Sequence, residues 1–213
     1  IPFFSLNPGF NKVLGIPVNL PGSSKYGNGL GNDDNNRYFV PCFDINGLVS
    51  CGQKRLLDKD SKDAKYQFTA NPHLPFEDSS ETPITHLGNV LTTKQLYLSE
   101  AYLKPLIAHL KHGIAVLGAS GGYFTSAKEQ VKYILLNNPN LETLYLTVDA
   151  GDLGKLQVIE KWVNQYKFLK SLIRELDLNI EIAIAFTNEP YDIDEINSIE
   201  SYQYIPIEDW LSK

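Results

Sequence analysis

The chain has 213 residues, 19 Lys plus Arg against 25 Asp plus Glu, a formal net charge of −6 and 43% hydrophobic residues, enough apolar content for one large core or two small ones. This excludes a disordered chain and a protein that coats nucleic acid by bulk positive charge, because sequence-independent affinity comes from neutralising phosphates with Lys and Arg. No apolar run approaches the roughly 20 residues of a membrane-spanning helix, and no basic flank precedes Ile1 as in a signal peptide, so a cytoplasmic protein without a membrane partner is expected. Methionine is absent even at position 1, which suggests an excerpt from a longer polypeptide.

Residues 1–36 are crowded with Gly, Pro and Asn and read as an irregular segment. Residues 37–88 read as a β-rich subdomain. Arg37 to Phe43 and Leu48 to Leu56 are strand-like runs around Asn46-Gly47, the signature of a hairpin. If those two residues form the turn, Cys42 faces Cys51, as a packed pair of small apolar side chains rather than a disulfide. Two cysteines at this spacing make no zinc knuckle. Lys65 to Thr69 is a third strand, and Asn71 to Gly88 a Pro-rich connection.

Residues 89–213 alternate strand and helix. Gln95 to Ser99 is a buried strand, and Tyr102 to Lys111 a helix with Leu103, Leu106, Ile107 and Leu110 on one face. Ile114 to Gly118 is the next strand. Ser126, with Glu129 three residues on, predicts a capping box for a helix to about Asn137. Thr143 to Val148 is a strand, Leu156 to Leu176 a long helix, Ile180 to Phe186 a strand, and Ile207 to Leu211 a short terminal helix. The alternation predicts an α/β fold: a mostly parallel sheet with helices on both faces.

In such a sheet the working groups collect beyond the carboxyl ends of the strands. Those positions hold Glu100, the run Gly118 to Gly122, Asp149 and Asp152, and then Glu189, Asp192 and Asp194. Asp192 and Asp194 read as solvated loop carboxylates. Carboxylates converging from separate strands repel, so a cation or a proton is expected among them, and Mg²⁺ is the expected occupant.

Strand-Glu, helix, strand-Gly, helix, strand-Asp resembles the TOPRIM domain shared by topoisomerases and primases. The matching runs are Gln95-Leu-Tyr-Leu-Ser-Glu100-Ala101 and Leu144-Tyr-Leu-Thr-Val-Asp149-Ala-Gly-Asp152-Leu-Gly154. Ala101 stands where the family has Gly, and the second Asp lies three residues after Asp149 instead of two. Ahead of these, Tyr38-Phe-Val-Pro41, Asp44-Ile-Asn-Gly47, Gln53-Lys54-Arg55-Leu56 and Lys65-Tyr66 resemble the subdomain that precedes TOPRIM in primases, closest to plasmid and phage replication proteins of the cyanobacterial kind that carry a helicase.

The resemblance implies a metal-dependent nucleotidyltransferase of primase type from a mobile-element DNA replication protein. In it Glu100, Asp149 and Asp152 would be catalytic and would hold Mg²⁺ or Mn²⁺. Ser120, Gly121, Gly122 and Lys104 would meet phosphate, while Lys54, Arg55 and Lys65 would hold single-stranded DNA template or nucleotides. A helicase domain or protein is the implied partner. A catalytically silent nucleic-acid-binding module and a TOPRIM nuclease are the competing readings.

Overall fold

A computed structural model describes residues 37–56, 66–69, 81–149, 155–187, 191–207 and 209. The chain divides into two compact units, Ile1–Pro83 and Ile84–Lys213.

In the first unit β1 (Arg37–Phe43), β2 (Val49–Leu56) and β3 (Tyr66–Thr69) form an antiparallel sheet in the order β1-β2-β3. Cys42 pairs with Cys51 as the hairpin reading requires, and both are free thiols and fully buried. The connection is longer than the two-residue turn expected. Asp44 to Leu48 form a loop in which the Asp44 carboxylate accepts from the amides of Asn46 and Leu48, each at 2.9 Å. That Asp-centred turn shifts the register beyond Cys42, so Phe43 pairs with Val49. Lys54 pairs with Phe39 and Gln67, and Arg55 with Tyr38 and Tyr66. Arg55 alternates with the buried Cys51 and Gln53, which puts it, half-buried, on the packed face of its strand. Lys65 lies outside the described residues.

The second unit is an α/β domain, as expected. Its six strands are β4 (Ile84–Leu87), β5 (Gln95–Glu100), β6 (Val116–Ala119), β7 (Thr143–Thr147), β8 (Glu181–Phe186) and β9 (Gln203–Pro206), in the order β4-β6-β5-β7-β8-β9. The four central strands are parallel, and the edges β4 and β9 are antiparallel. Three helices connect them: α1 (Leu103–His112), α2 (Lys128–Asn137) and α3 (Leu156–Glu175). The step from β5 to β6 runs one way along the sheet, whereas β6 to β7 and β7 to β8 run the other way. Right-handed crossovers therefore put α1 on one face and α2 and α3 on the other. The α1 face buries Tyr97, Ala108, Val116, Tyr145 and Ala183 together with Ile193, Ile196 and Tyr202. The alternate positions Leu96, Leu98, Leu144, Leu146 and Ile184 are buried on the opposite face. Among the described residues no helix is long and apolar enough to cross a membrane.

Four local expectations are corrected. The Pro-rich stretch before Gly88 contains β4, which the pairing of Ile84 with Ala119 and Leu87 with Val116 makes part of the large sheet. On α1, Leu103, Pro105, Leu106 and Ala108 are buried while Leu110 is 55% exposed, because the helix rotates its Pro105 side onto the sheet. Ser126 caps no helix: its hydroxyl donates to the Tyr123 carbonyl at 2.7 Å inside a 3-10 turn over Phe124–Ala127, and α2 starts at Lys128 without a side-chain cap. Gln203–Pro206, ahead of the expected terminal helix, pairs with β8 as an edge strand; of that helix only Ile207 and Asp209 are described, both helical.

Candidate functional site at the carboxyl edge of the sheet

Connections leave β5 and β7 toward opposite faces, which opens a cleft at their carboxyl ends. Glu100 ends β5, and Asp149 follows β7 by two residues. The parallel register, Leu98 opposite Leu146, carries both to the same edge. Two bonds fix the edge: Thr147 Oγ1 donates to the Leu98 carbonyl at 2.9 Å in a buried bond, and the Ala101 amide donates to the Ala119 carbonyl at 2.7 Å. Ala101 then turns the chain into α1 with φ of 65°, a left-handed conformation that glycine adopts without the cost it carries for alanine.

The acids in this cleft are held by lysines. Lys104, in the first turn of α1, places its ammonium on Asp149 Oδ2 and, at 2.6 Å, on Asp192 Oδ2. Its side chain is 24% exposed, against 23% for Asp149 and 26% for Asp192, so the pairs are only partly screened by solvent. Lys161 of α3 donates to Glu100 Oε2 at 2.8 Å and is the more enclosed of that pair, at 12% exposed against 35%. Its ammonium also lies 5.0 Å from the centre of the Trp162 ring.

Asp192 is brought to the cleft by the turn after β8, whose Ile193 and Ile196 are buried in the α1-side core. At the far end of α1, Lys111 Nζ donates to the carbonyls of Asp194 and Glu195, at 3.3 and 3.0 Å. Asp192 and Asp194 are thus half-buried parts of the cleft wall, not the solvated loop carboxylates expected. Asp194 Oδ1 is buried without a hydrogen-bond partner.

The electrostatics follow from enclosure. Burial pushes the Asp149 carboxyl up to about 6 against the opposing hydrogen bond and charge of Lys104, with Asp192 adding to the rise. Burial also raises Asp194. For Lys104 burial alone would lower the pKa, but the bonds to Asp149 and Asp192 outweigh it, so the ammonium holds its proton more tightly than a free lysine. The Tyr202 hydroxyl is raised by burial and by the charges of Asp149, Asp192 and Asp194.

Ser120–Gly122 form one 3-10 turn after β6, with Gly121 at φ 62° and Gly122 at φ 74°. A Cβ at Gly122 would stand 3.6 Å from Lys161 Nζ and 3.8 Å from Glu100 Cβ, so this turn flanks the Glu100–Lys161 pair. Asp152 and Glu189 lie outside the described residues. Lys104, expected to meet phosphate, is paired with the carboxylates of Asp149 and Asp192.

The Mg²⁺ or Mn²⁺ implied by the resemblance needs several free oxygen ligands. The described residues do not fit such an ion as they are arranged: each of Glu100, Asp149 and Asp192 has an ammonium on it. No group of three or more His, Cys, Asp or Glu side chains is assembled as a ligand set among the described residues. Sequence reasoning placed Asp192 among the strand-end acids but read it as solvated, and it missed Lys161 as a cleft residue. The rule of strand ends points to Asp192, just beyond β8, whereas no local signal marks Lys161.

No family model matches the chain, and no curated protein does. Solved structures do. A DNA primase domain from Pseudomonas aeruginosa superposes with a TM-score of 0.58 at 14% identity, over 91% of this chain and 59% of that one. The zinc-binding and RNA polymerase domains of the Aquifex aeolicus primase give 0.58 at 16%, over 84% and 43%. A DnaG primase catalytic domain bound to ssDNA gives 0.55 at 13%, over 83% and 51%. At these identities the likeness is one of fold, and this chain spans roughly half the length of the structures it matches.

Proposed function

We propose, from a fold shared with solved primase cores, that this chain is the primase-type core of a plasmid or phage DNA replication protein, and that it holds single-stranded DNA without joining nucleotides. A helicase domain or protein is the partner this reading implies. The observation that carries the reading is the engagement of the cleft acids by Lys104 and Lys161. Phosphoryl transfer of this class is accelerated by ions that neutralise developing charge, and acids already paired with ammonium groups are poorly disposed to hold them. Likeness to a primase domain bound to ssDNA supports the choice of ligand.

A second reading is metal-dependent nucleotidyl transfer by Glu100, Asp149 and Asp152 with Mg²⁺ or Mn²⁺. It is favoured by the convergence of Glu100 and Asp149 on one edge of adjacent strands.

Fluorescence anisotropy with labelled single-stranded DNA and a template-directed primer assay, run side by side, separate the two. The expected result is binding that is equal in chelator and in Mg²⁺ and weakens linearly in log salt, with no primer formed. Lys54→Ala and Lys65→Ala should each reduce the salt slope by about 0.7, the value of one phosphate contact on a single strand. Template-dependent synthesis with either ion would establish the second reading, and absence of DNA binding would dismiss the first.

A further inference from the structure

We propose that Lys104 is the resident cation of the cleft: its ammonium occupies the Asp149–Asp192 pair, so a divalent ion enters only by displacing it. Acids gathered from β7 and from the turn after β8 require a positive charge between them, and the chain supplies that charge itself.

The placement is built in. Lys104 sits between the buried Leu103 and Pro105 in the first turn of α1, with Leu106 buried behind them. Proline is tolerated there because a first-turn amide has no partner within the helix. The helix is therefore anchored at the point from which the lysine reaches both carboxylates. A tethered ammonium competes at an effective concentration in the millimolar range or above, so a free ion must be abundant or strongly bound to replace it.

The two cations exclude one another. A divalent ion between Asp149 and Asp192 would lie against the ammonium that already touches both, in a partly enclosed site where like charges repel strongly. The groups acting on Lys104 are the carboxylates of Asp149, Asp192 and Asp194, with the Tyr202 hydroxyl set against the same three acids; among these described groups Lys104 is the single cation. Lys161 treats Glu100, across the cleft edge, in the same way. This assignment concerns ion occupancy alone and stands whether or not the domain holds DNA.

The test is Mn²⁺ binding to the full chain, by calorimetry and by the paramagnetic resonance of free Mn²⁺. Lys104→Met keeps the aliphatic stem and removes the charge, and should bind Mn²⁺ about tenfold more tightly than the wild type, or better. Adding Asp192→Asn to that variant should abolish the gain. Equal affinity in wild type and Lys104→Met, or a gain indifferent to Asp192→Asn, overturns the proposal. If Lys104→Met does not fold, the wild type decides. Sub-millimolar Mn²⁺ should leave the amide resonances of Leu103 and Val148 sharp, and selective broadening of those resonances overturns the proposal.

Discussion

At Gly118 the sheet packs tightly against the start of the helix that carries Lys104, and Gly118→Ala should loosen both. A Cβ there would lie 2.4 Å from the Ala101 carbonyl oxygen, 2.5 Å from Pro105 Cγ and 2.8 Å from Thr85 Cγ2. Comfortable carbon contacts begin near about 3.5 Å, so the Ala101 turn and the first turn of α1 would have to retreat by about an ångström. The two nearest neighbours cannot rotate away, since one is backbone and the other a proline ring. Overpacking of this kind costs about 1–3 kcal/mol, and the upper end applies. Restricting the unfolded chain returns about 0.4–1 kcal/mol, which leaves a net loss of about 2 kcal/mol. With a urea slope of about 2 kcal/mol per molar, the midpoint should fall by about 1 M. A midpoint equal to or above that of the wild type would refute the close approach of β6 to α1, and with it the placement of Lys104.

The Asp149 carboxyl should titrate near 6 by carbon NMR. Because this folded value lies above the ordinary 3.8, the group favours the fold most below that value and loses its contribution as pH rises through 6. Wild type should accordingly lose stability relative to Asp149→Asn as pH rises over that window; a difference independent of pH would refute the burial of this acid. Ala101→Gly should raise stability by about 0.5 kcal/mol, relief of the left-handed alanine outweighing the extra freedom of glycine in the unfolded chain; thermal denaturation measures it, and a lowered midpoint contradicts the turn. Cys42 and Cys51 should resist an aromatic disulfide reagent in the native protein and both react in denaturant, whereas rapid native labelling would contradict their burial.

The central strands were legible because each is built on an apolar run, as burial on both faces of a parallel sheet demands, and β5, β6 and β7 are each followed by a helical period. The two edges were not. Ile84–Leu87 and Gln203–Pro206 are four residues each, carry His, Gln or Pro, and acquire their strand character only by pairing with β6 and β8. Ser126 has the spacing of a helix cap, but the 3-10 turn before α2 gives its hydroxyl a nearer acceptor in Tyr123. At the site, strand-end logic located Glu100 and Asp149 and anticipated a cation among the acids. It could not reveal that lysines provide it, since Lys161 meets Glu100 only through the packing of α3, far along the chain.

The two lysines of α1 have a consequence for how the domain opens. Lys104 grips the side chain of Asp192 near one end of the helix, and Lys111 grips the carbonyls of Asp194 and Glu195 near the other. The turn is sutured to the helix along its length, and Ile193 and Ile196 lie between the stitches. Neither piece can exchange its amides with solvent by fraying alone, because lifting the turn strips both ammonium groups from their acceptors and exposes two isoleucines at once. Helix α1 and residues 192–196 should therefore behave as one cooperative unit in hydrogen exchange, protected and released together, although three of the six strands lie between them in the chain.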